Sequence, residues 1–337
     1  MIVINKPILK KILVYAKSFE AKSIAMRAKK EEQSAFVLMS NESLAIEVPI
    51  LLAEPALEDY TICFAPVIST TISKLTDPIT IMGDDCSLTA NDLELSAIDS
   101  CIDNWNSEAE YVGKISSESF YQLFNMPKSS PFPLCFNIDK GKTISLLKIN
   151  SDIGCVNKAK FEGDSTPTTY SSKFNVSTDS EKRVVDFIKK TGPLSDANIY
   201  IQDSYLIFGF STSRLIIPII KGASPSLKNL NVSTAAKINL SSLSDLANTK
   251  KSILITNNNN NISFVSSDGT AERHIPCTNL SEEKFSVSIS SAMLAQAIAI
   301  LGNNTITLAT SNGLVVMSAS SGNCSSVVMI GGQQNNT

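Results

Sequence analysis

Histidine is the side chain most often used to move protons near neutral pH, and this 337-residue chain has one, His274. Two-His metal sites and His-pair proton relays are therefore excluded. His274 stands beside Arg273 near a predicted strand, where a surface or hydrogen-bonded residue is expected rather than a ligand. The seven cysteines, Cys63, Cys86, Cys101, Cys135, Cys155, Cys277 and Cys324, form no CxxC pair and sit in apolar runs, as reduced core residues do. Carboxylates such as Asp84 and Asp85 fall at a predicted turn, where they are turn formers. No phosphate loop, GxSxG or HExxH occurs. The sequence thus predicts no catalytic residue, no metal site and no cofactor.

The chemistry that is present is cationic. Lys182 and Lys189, and likewise Arg183 and Lys190, stand seven residues apart, two helical turns, so each pair shares a face. Lys6, Lys10, Lys11 and Lys17 lie mostly away from the apolar stripe Ile8, Leu9, Ile12, Leu13, Ala16 and Phe19. Lys74, Lys250 and Lys251 accompany two further predicted helices. The net charge is nevertheless −3, so no global field attracts nucleic acid, and the acidic excess must sit elsewhere, as in Glu31, Glu32, Glu42, Glu54, Glu58 and Asp59. Segregation of this kind predicts a surface that touches phosphate without reading sequence.

The elements that position these lysines repeat. Thr61–Phe64 reads as a strand, Val67–Leu75 as a helix closed by Asp77-Pro78, and Ile79–Met82, Cys86–Ala90 and Leu93–Ile98 as three strands separated by turn signals. The order returns from Phe285, with a helix over Ala292–Leu301 and strands at Thr305–Ala309, Leu314–Ala319 and Ser326–Ile330. It returns again from Phe174, with a helix over Thr178–Lys190, whose stripe is Val184, Val185 and Ile188, and strands at Asn198–Ile201, Tyr205–Gly209 and Arg214–Ile219. Weaker copies carry helices at Pro7–Phe19, Ser117–Phe124 and Leu240–Ala247. Six helix starts about 50 to 60 residues apart indicate one repeating unit. A single unit buries too little area alone, so units pair around shared cores. The predicted class is α+β with three similar domains, residues 1–108, 109–224 and 225–331, followed by a flexible polar tail at 332–337.

This order resembles the bacterial sliding clamp, the beta subunit of DNA polymerase III, in a diverged and phage-like form. The local matches are Ser211-Thr212-Ser213-Arg214-Leu215-Ile216 near the end of the middle domain, Ser151-Asp152-Ile153-Gly154-Cys155-Val156 at a family turn, and Val327-Val328-Met329-Ile330 at the last strand. The resemblance implies a head-to-tail homodimeric ring with helices inside and antiparallel sheets outside. It implies a processivity factor that encloses duplex DNA without sequence specificity. An ATP-dependent clamp loader would place the ring, and a replicative polymerase would be tethered to it. Lys6, Lys10, Lys11, Lys17, Lys74, Lys182, Arg183, Lys189, Lys190, Lys250 and Lys251 are then the DNA-facing candidates. Ile153, Cys155, Val156, Pro218, Pro225, Val327, Val328, Met329 and Ile330 are the candidates for a partner-peptide cleft. The family's His-Arg pair is absent from 151–156, and the chain continues past the last strand as Gly331–Thr337.

The N-terminal apolar run is interrupted by Lys6, Lys10 and Lys11, and no stretch reaches a membrane-spanning length. A cytoplasmic protein without membrane partners is expected, in a bacterium or a phage-infected host. Two other readings are a β-rich structural protein without a recurrent helix, and a clamp-like monomer that binds DNA on an open basic face.

Overall fold

The computed structural model describes residues 1–337 except 67–68, 84–87, 100–107, 128–131, 140–141, 151, 164–171, 192–193, 203, 221–232, 259–260, 277–285, 303–304, 312–313 and 335–337. A strand, a helical segment and three strands follow one another six times. The first repeat is β1 (Ile2–Ile4), α1 (Lys6–Ser18), β2 (Ser23–Ala28), β3 (Ser34–Ser40) and β4 (Ala45–Leu51). The second is β5 (Tyr60–Phe64), α2 (Ser69–Ile72), β6 (Ile79–Gly83), β7 (Leu88–Ala90) and β8 (Leu93–Leu95). The third is β9 (Glu110–Ile115), α3 (Ser117–Phe124), β10 (Leu134–Asp139), β11 (Thr143–Ile149) and β12 (Ile153–Lys160). The fourth is β13 (Ser172–Val176), α4 (Thr178–Thr191), β14 (Ala197–Gln202), β15 (Tyr205–Gly209) and β16 (Arg214–Pro218). The fifth is β17 (Ser233–Asn239), a 3-10 turn (Leu240–Leu243) leading into α5 (Ser244–Ala247), β18 (Ser252–Asn258), β19 (Asn261–Ser266) and β20 (Glu272–Pro276). The sixth is β21 (Ser286–Ser290), α6 (Ser291–Leu301), β22 (Thr305–Ser311), β23 (Leu314–Ser321) and β24 (Cys324–Gly331), after which β25 (Gln333–Gln334) is added.

The chain forms two compact units, Met1–Lys114 with Asp179–Ile220, and Ile115–Thr178 with Lys221–Thr337. The first unit holds a four-stranded sheet, β1-β6-β7-β8, and an eight-stranded sheet, β5-β2-β3-β4-β16-β15-β14-β9. The second holds an eight-stranded sheet, β13-β10-β11-β12-β24-β23-β22-β17, and a five-stranded sheet, β20-β19-β18-β21-β25. The opening strand of a repeat does not join the three strands that follow it. Instead β1 pairs with β6 and β5 with β2, β13 pairs with β10 while β9 lies beside β14, and β17 pairs with β22 and β21 with β18. Repeats therefore exchange first strands in the pairs one and two, three and four, five and six, which is how sheets with one apolar face share a core.

Local chemistry sets the helix ends. Ser116 accepts the Ser119 N–H at the start of α3, and Ser290 accepts the Ala292 N–H at the start of α6. Gly302, at φ 67°, closes α6 in a backbone region unfavourable to residues with a Cβ. The second helix is shorter than its expected span: after Ser69–Ile72 the Lys74 and Leu75 N–H groups bond three residues back, in a stretch with two β-branched threonines. The fifth repeat has only a 3-10 turn and one α-turn because the Asn239 side chain accepts the Ser241 N–H in a Ser-rich stretch that favours turns. The buried side of α4 is Ser180, Glu181, Val184 and Phe187, with Val185 and Ile188 only half-buried. The stripe is rotated from its expected position because Phe187 packs against Phe19 and Phe210, at centroid distances of 6.0 and 6.3 Å.

One core of the second unit joins Ile153, Cys155, Val328 and Ile330 to Leu240, Leu243 and Leu246, to Ile253, Ile255, Ile262 and Phe264, and to Leu294, Ala297 and Ile300 of α6. Among the cysteines, Cys63 is half-buried and Cys135, Cys155 and Cys324 are buried, all as free thiols, while Cys86, Cys101 and Cys277 lie outside the described residues. Asn257 and Asn258, expected in a polar loop, belong to β18. The expected polar tail departs from its description at its start, where Gln333 and Gln334 pair with Ser288 and Val287 of β21.

Candidate nucleic-acid and partner surfaces

In the first unit, helices α1 and α4 carry most of the candidate cations. Lys11 and Lys17 of α1, Lys182 and Lys189 of α4, and Lys74 after α2 are exposed, and Lys10 is half-buried. The other three cations hold structure together. Lys6 anchors the start of α1, its Nζ donating to Leu75 O at 2.6 Å and its backbone N–H to Asp77 Oδ1 at 2.9 Å. Arg183 donates to Asp179 at 3.0 Å, to Phe19 O at 3.0 Å and to Glu20 at 3.1 Å. Lys190 donates to Ser18 O at 2.7 Å and lies over the Phe19 ring. Arg183 and Lys190 thus satisfy carbonyls at the C-terminal end of α1, where cations also complement the helix dipole.

Beneath α1 is a groove of about 550 Å³ that sequence reasoning missed. Ile8, Ile12 and Tyr15 form one wall, Met39, Ile46, Val48 and Ile50 the sheet floor, and Phe187, Leu194 and Phe210 the far side. Its charged residue is Lys11, and serines and threonines form part of the rim. Tyr15, with about half its surface exposed on an otherwise amphipathic helix, is the signal that could have pointed to it. The same sheet buries Glu47 of β4 against Arg214 of β16 at 3.5 Å; burial pushes this carboxyl up, and Arg214 and Arg27 act in the opposite direction.

In the second unit the cleft candidates do lie on two paired strands. Ile153 faces Ile330, Cys155 faces Val328, and Val156 faces Val327 across the β12–β24 ladder. The structure does not place them on one surface, however. A strand alternates its side chains between faces, so Ile153, Cys155, Val328 and Ile330 enter the core while Val156, Val327 and Met329 point to the other side. There they meet Ala309 and Val316, with Met329 lying over Gly154, where an added Cβ would be 3.0 Å from its Cε. Burial pushes the Cys155 thiol up to about 12, so it behaves as a core hydrophobe rather than a nucleophile. Pro218 ends β16 opposite Tyr205 in the first unit, and Pro225 lies outside the described residues.

Lys250 and Lys251 follow α5 and are exposed. They line a second pocket, about 640 Å³, together with Asp152, Ser288 and Ser290 of β21, Met293 and Gly331–Gln333. His274 is on β20, within 2.8 Å of Ser263 Oγ and 3.0 Å of Glu272 Oε1, with more than half of its side chain exposed. Among the described residues no group of three or more His, Cys, Asp or Glu could hold a metal ion, and no helix is long and apolar enough to cross a membrane.

No protein-family model matches the chain, and no curated protein matches it by sequence. Solved structures do match by shape over nearly its whole length. The Helicobacter pylori beta clamp bound to a DNA ligase peptide has a TM-score of 0.65 at 14% identity, covering 98% of this chain and 99% of that one. The Bacillus subtilis DNA polymerase sliding clamp has a TM-score of 0.68 at 11% identity, with all of both chains covered. The Pseudomonas aeruginosa DNA polymerase III subunit beta has a TM-score of 0.65 at 10% identity, covering 99% of this chain and 100% of that one. With six strand-helix-three-strand repeats built into antiparallel sheets, the chain has the fold of the bacterial DNA polymerase III beta sliding clamps.

Proposed function

We propose that the chain is a sliding clamp: a non-catalytic processivity factor that closes as a head-to-tail homodimer around duplex DNA in a bacterial or phage-infected cytoplasm. In this reading the repeats pair into three domains, 1–108, 109–224 and 225–331. The observation that carries it is the pairing of third strands. β4 pairs with β16 and β12 with β24, each joining two four-stranded halves into an eight-stranded sheet. β8 and β20, the third strands of the second and fifth repeats, are edge strands of their sheets among the described residues. Pairing β8 of one copy with β20 of another extends the same rule and gives each subunit one contact of each kind. Such a heterologous contact closes into a ring when the rotation divides the circle.

A closed ring needs no strong base contact, because enclosure holds it on DNA. Lys10, Lys11, Lys17, Lys74, Lys182 and Lys189 supply unpatterned phosphate contacts that permit sliding. Loading would use an ATP-dependent loader, since the sequence carries no phosphate loop of its own. Replicative polymerase and other partners would dock through short peptides, with half-buried Val156 and Val327, packed against the small cluster of Ala309, Val316 and Met329, as the apolar contacts. The deciding experiment combines light scattering with retention on nicked circular DNA, in the presence of a candidate loader and ATP. A mass twice that of one chain, with release on linearising the circle, is expected. A monomer whose retention ignores DNA topology and falls steeply with salt would overturn the ring in favour of an open basic face.

A further inference from the structure

We propose that the groove beneath α1 binds a small carboxylate with an apolar chain, of fatty-acid type, its head held by Lys11 and the hydroxyls of the β15–β16 turn. The site lies wholly within the first unit and shares no residue with the β12–β24 candidates. The inference goes beyond the clamp reading and stands whether or not a ring forms.

At about 550 Å³ the groove falls within the range of small-molecule pockets, about 300 to 1,000 Å³. Its lining is not finished by the protein's own packing. Ile8, Val48, Ile50 and Leu194 are only half-buried along it, and Tyr15 is about half exposed, so apolar surface is left there for another molecule to cover. The floor selects against a peptide held by its backbone. β3 and β4 lie inside the eight-stranded sheet, β3 between β2 and β4 and β4 between β3 and β16, so they present no open edge for an added strand. The groove thus rewards an apolar body that asks for no backbone hydrogen bonds.

The polar groups identify the head. Lys11 is exposed, and among the described residues its ammonium makes neither an ion pair nor a hydrogen bond. No carboxylate lines the groove with it. Two of the lining hydroxyls are already committed: Thr191 Oγ1 donates to Phe187 O at 2.8 Å, and Ser195 Oγ accepts the Ser211 N–H at 2.9 Å. The hydroxyls of Ser211, Thr212 and Ser213 make no hydrogen bond among the described residues. An ammonium and three hydroxyls are donors without acceptors, and a carboxylate, which only accepts, is their complement. A cationic head would meet Lys11 with no counter-charge.

The test titrates the full chain by calorimetry with octanoate, decanoate and decylammonium, each below its micelle-forming concentration. The site is read separately from the methyl resonance of Met39, which lines the floor, in protein labelled with ¹³C-methyl methionine and assigned through Met39→Leu. Decanoate should bind and move the Met39 methyl. Two fewer methylenes should weaken binding by about tenfold in octanoate, and decylammonium should bind at least about tenfold more weakly than decanoate. Lys11→Gln should weaken decanoate by about tenfold, and so should Val48→Trp and Ile50→Trp, each of which fills the groove from its half-buried floor. Because Lys11 is exposed and Ile50 is only half-buried, a failure of Val48→Trp to fold leaves the other two variants to decide. Absence of decanoate binding, or binding that leaves Met39 unmoved, would overturn the site. Equal affinity for octanoate and decanoate would overturn burial of the chain, and decylammonium as tight as decanoate, or indifference to Lys11→Gln, would overturn the head group. If no probe binds and the tryptophan variants change the mass seen by light scattering, the groove is a contact between copies and the proposal falls.

Discussion

Asn157 is buried in β12, yet its amide is fully used, with Nδ2 donating to Gln122 O at 2.7 Å, Leu123 O at 3.3 Å and Asn125 O at 2.8 Å. These are carbonyls at the C-terminal end of α3, where Gln122 O also accepts the Asn125 N–H. Asn125 in turn donates to Ile300 O at the end of α6, and Gln122 donates to Ser326 of β24, so one amide anchors a network between two helices and a sheet. Asn157→Leu keeps the volume but strands buried carbonyls, each costing about 1 to 3 kcal/mol. A loss of about 2 to 4 kcal/mol in urea unfolding is expected for the protein. A loss below about 0.5 kcal/mol would show that the helix end finds other partners. Two residues earlier, Cys155 tests burial through pH. Its folded value of about 12 lies above the ordinary 9.0, so above pH 9 the unfolded chain releases a proton that the folded chain keeps. Stability must then fall as pH rises, by at most about 1.4 kcal/mol per unit for this group. Comparing Cys155→Ala with the parent from pH 8.5 upward should show a shallower decline in the variant, and parallel curves would contradict the assigned burial.

At the scale of the element, α4 separates two kinds of cation that spacing alone cannot. Lys182 and Lys189 are exposed, whereas Arg183 and Lys190 bond the last carbonyls of α1. Lys182→Glu with Lys189→Glu should leave the melting temperature within a degree or two and weaken retention on circular DNA, since exposed charges contribute little to folding. Arg183→Ala should instead lower stability by about 1 kcal/mol, because it removes the bonds to Asp179 and Glu20 and leaves Phe19 O with Asn41 Nδ2 as its remaining side-chain donor. Comparable destabilisation by both variants would remove the distinction. This is where the sequence stops being legible. Seven-residue spacing shows that Arg183 and Lys190 share a face but not that another helix ends against it. The run Val327-Val328-Met329-Ile330 shows a buried strand, but a strand apolar on both faces hides which residues point into the core. Turn and cap signals, by contrast, placed α3 at its observed ends and located all six repeats, because such signals are local. The exchange of first strands between repeats is not written locally, since β1 reads the same whether it pairs with β2 or β6.

For the whole molecule, the decisive property is how the four- and five-stranded sheets end. β20 presents Glu272, Arg273, His274, Ile275 and Pro276 along an edge whose inner side pairs with β19. In an antiparallel edge strand the N–H groups alternate between the paired side and the free side. Of two adjacent residues, one N–H therefore points toward β19 and the other toward the position proposed for β8 of a second copy. Proline at His274 and proline at Ile275, made separately, must then differ in kind. The substitution on the paired side removes a ladder hydrogen bond and lowers the melting temperature of the second unit. The one on the free side leaves β19 paired, so the protein stays folded, and it removes a donor from the proposed intersubunit ladder. Light scattering of that folded variant should give the mass of a single chain at concentrations where the parent is a dimer, with loss of retention on nicked circular DNA. If both proline variants remain dimeric and fully retained, β20 is not the closing edge, and the proposed rule that third strands pair, as β4 does with β16 and β12 with β24, does not extend between copies.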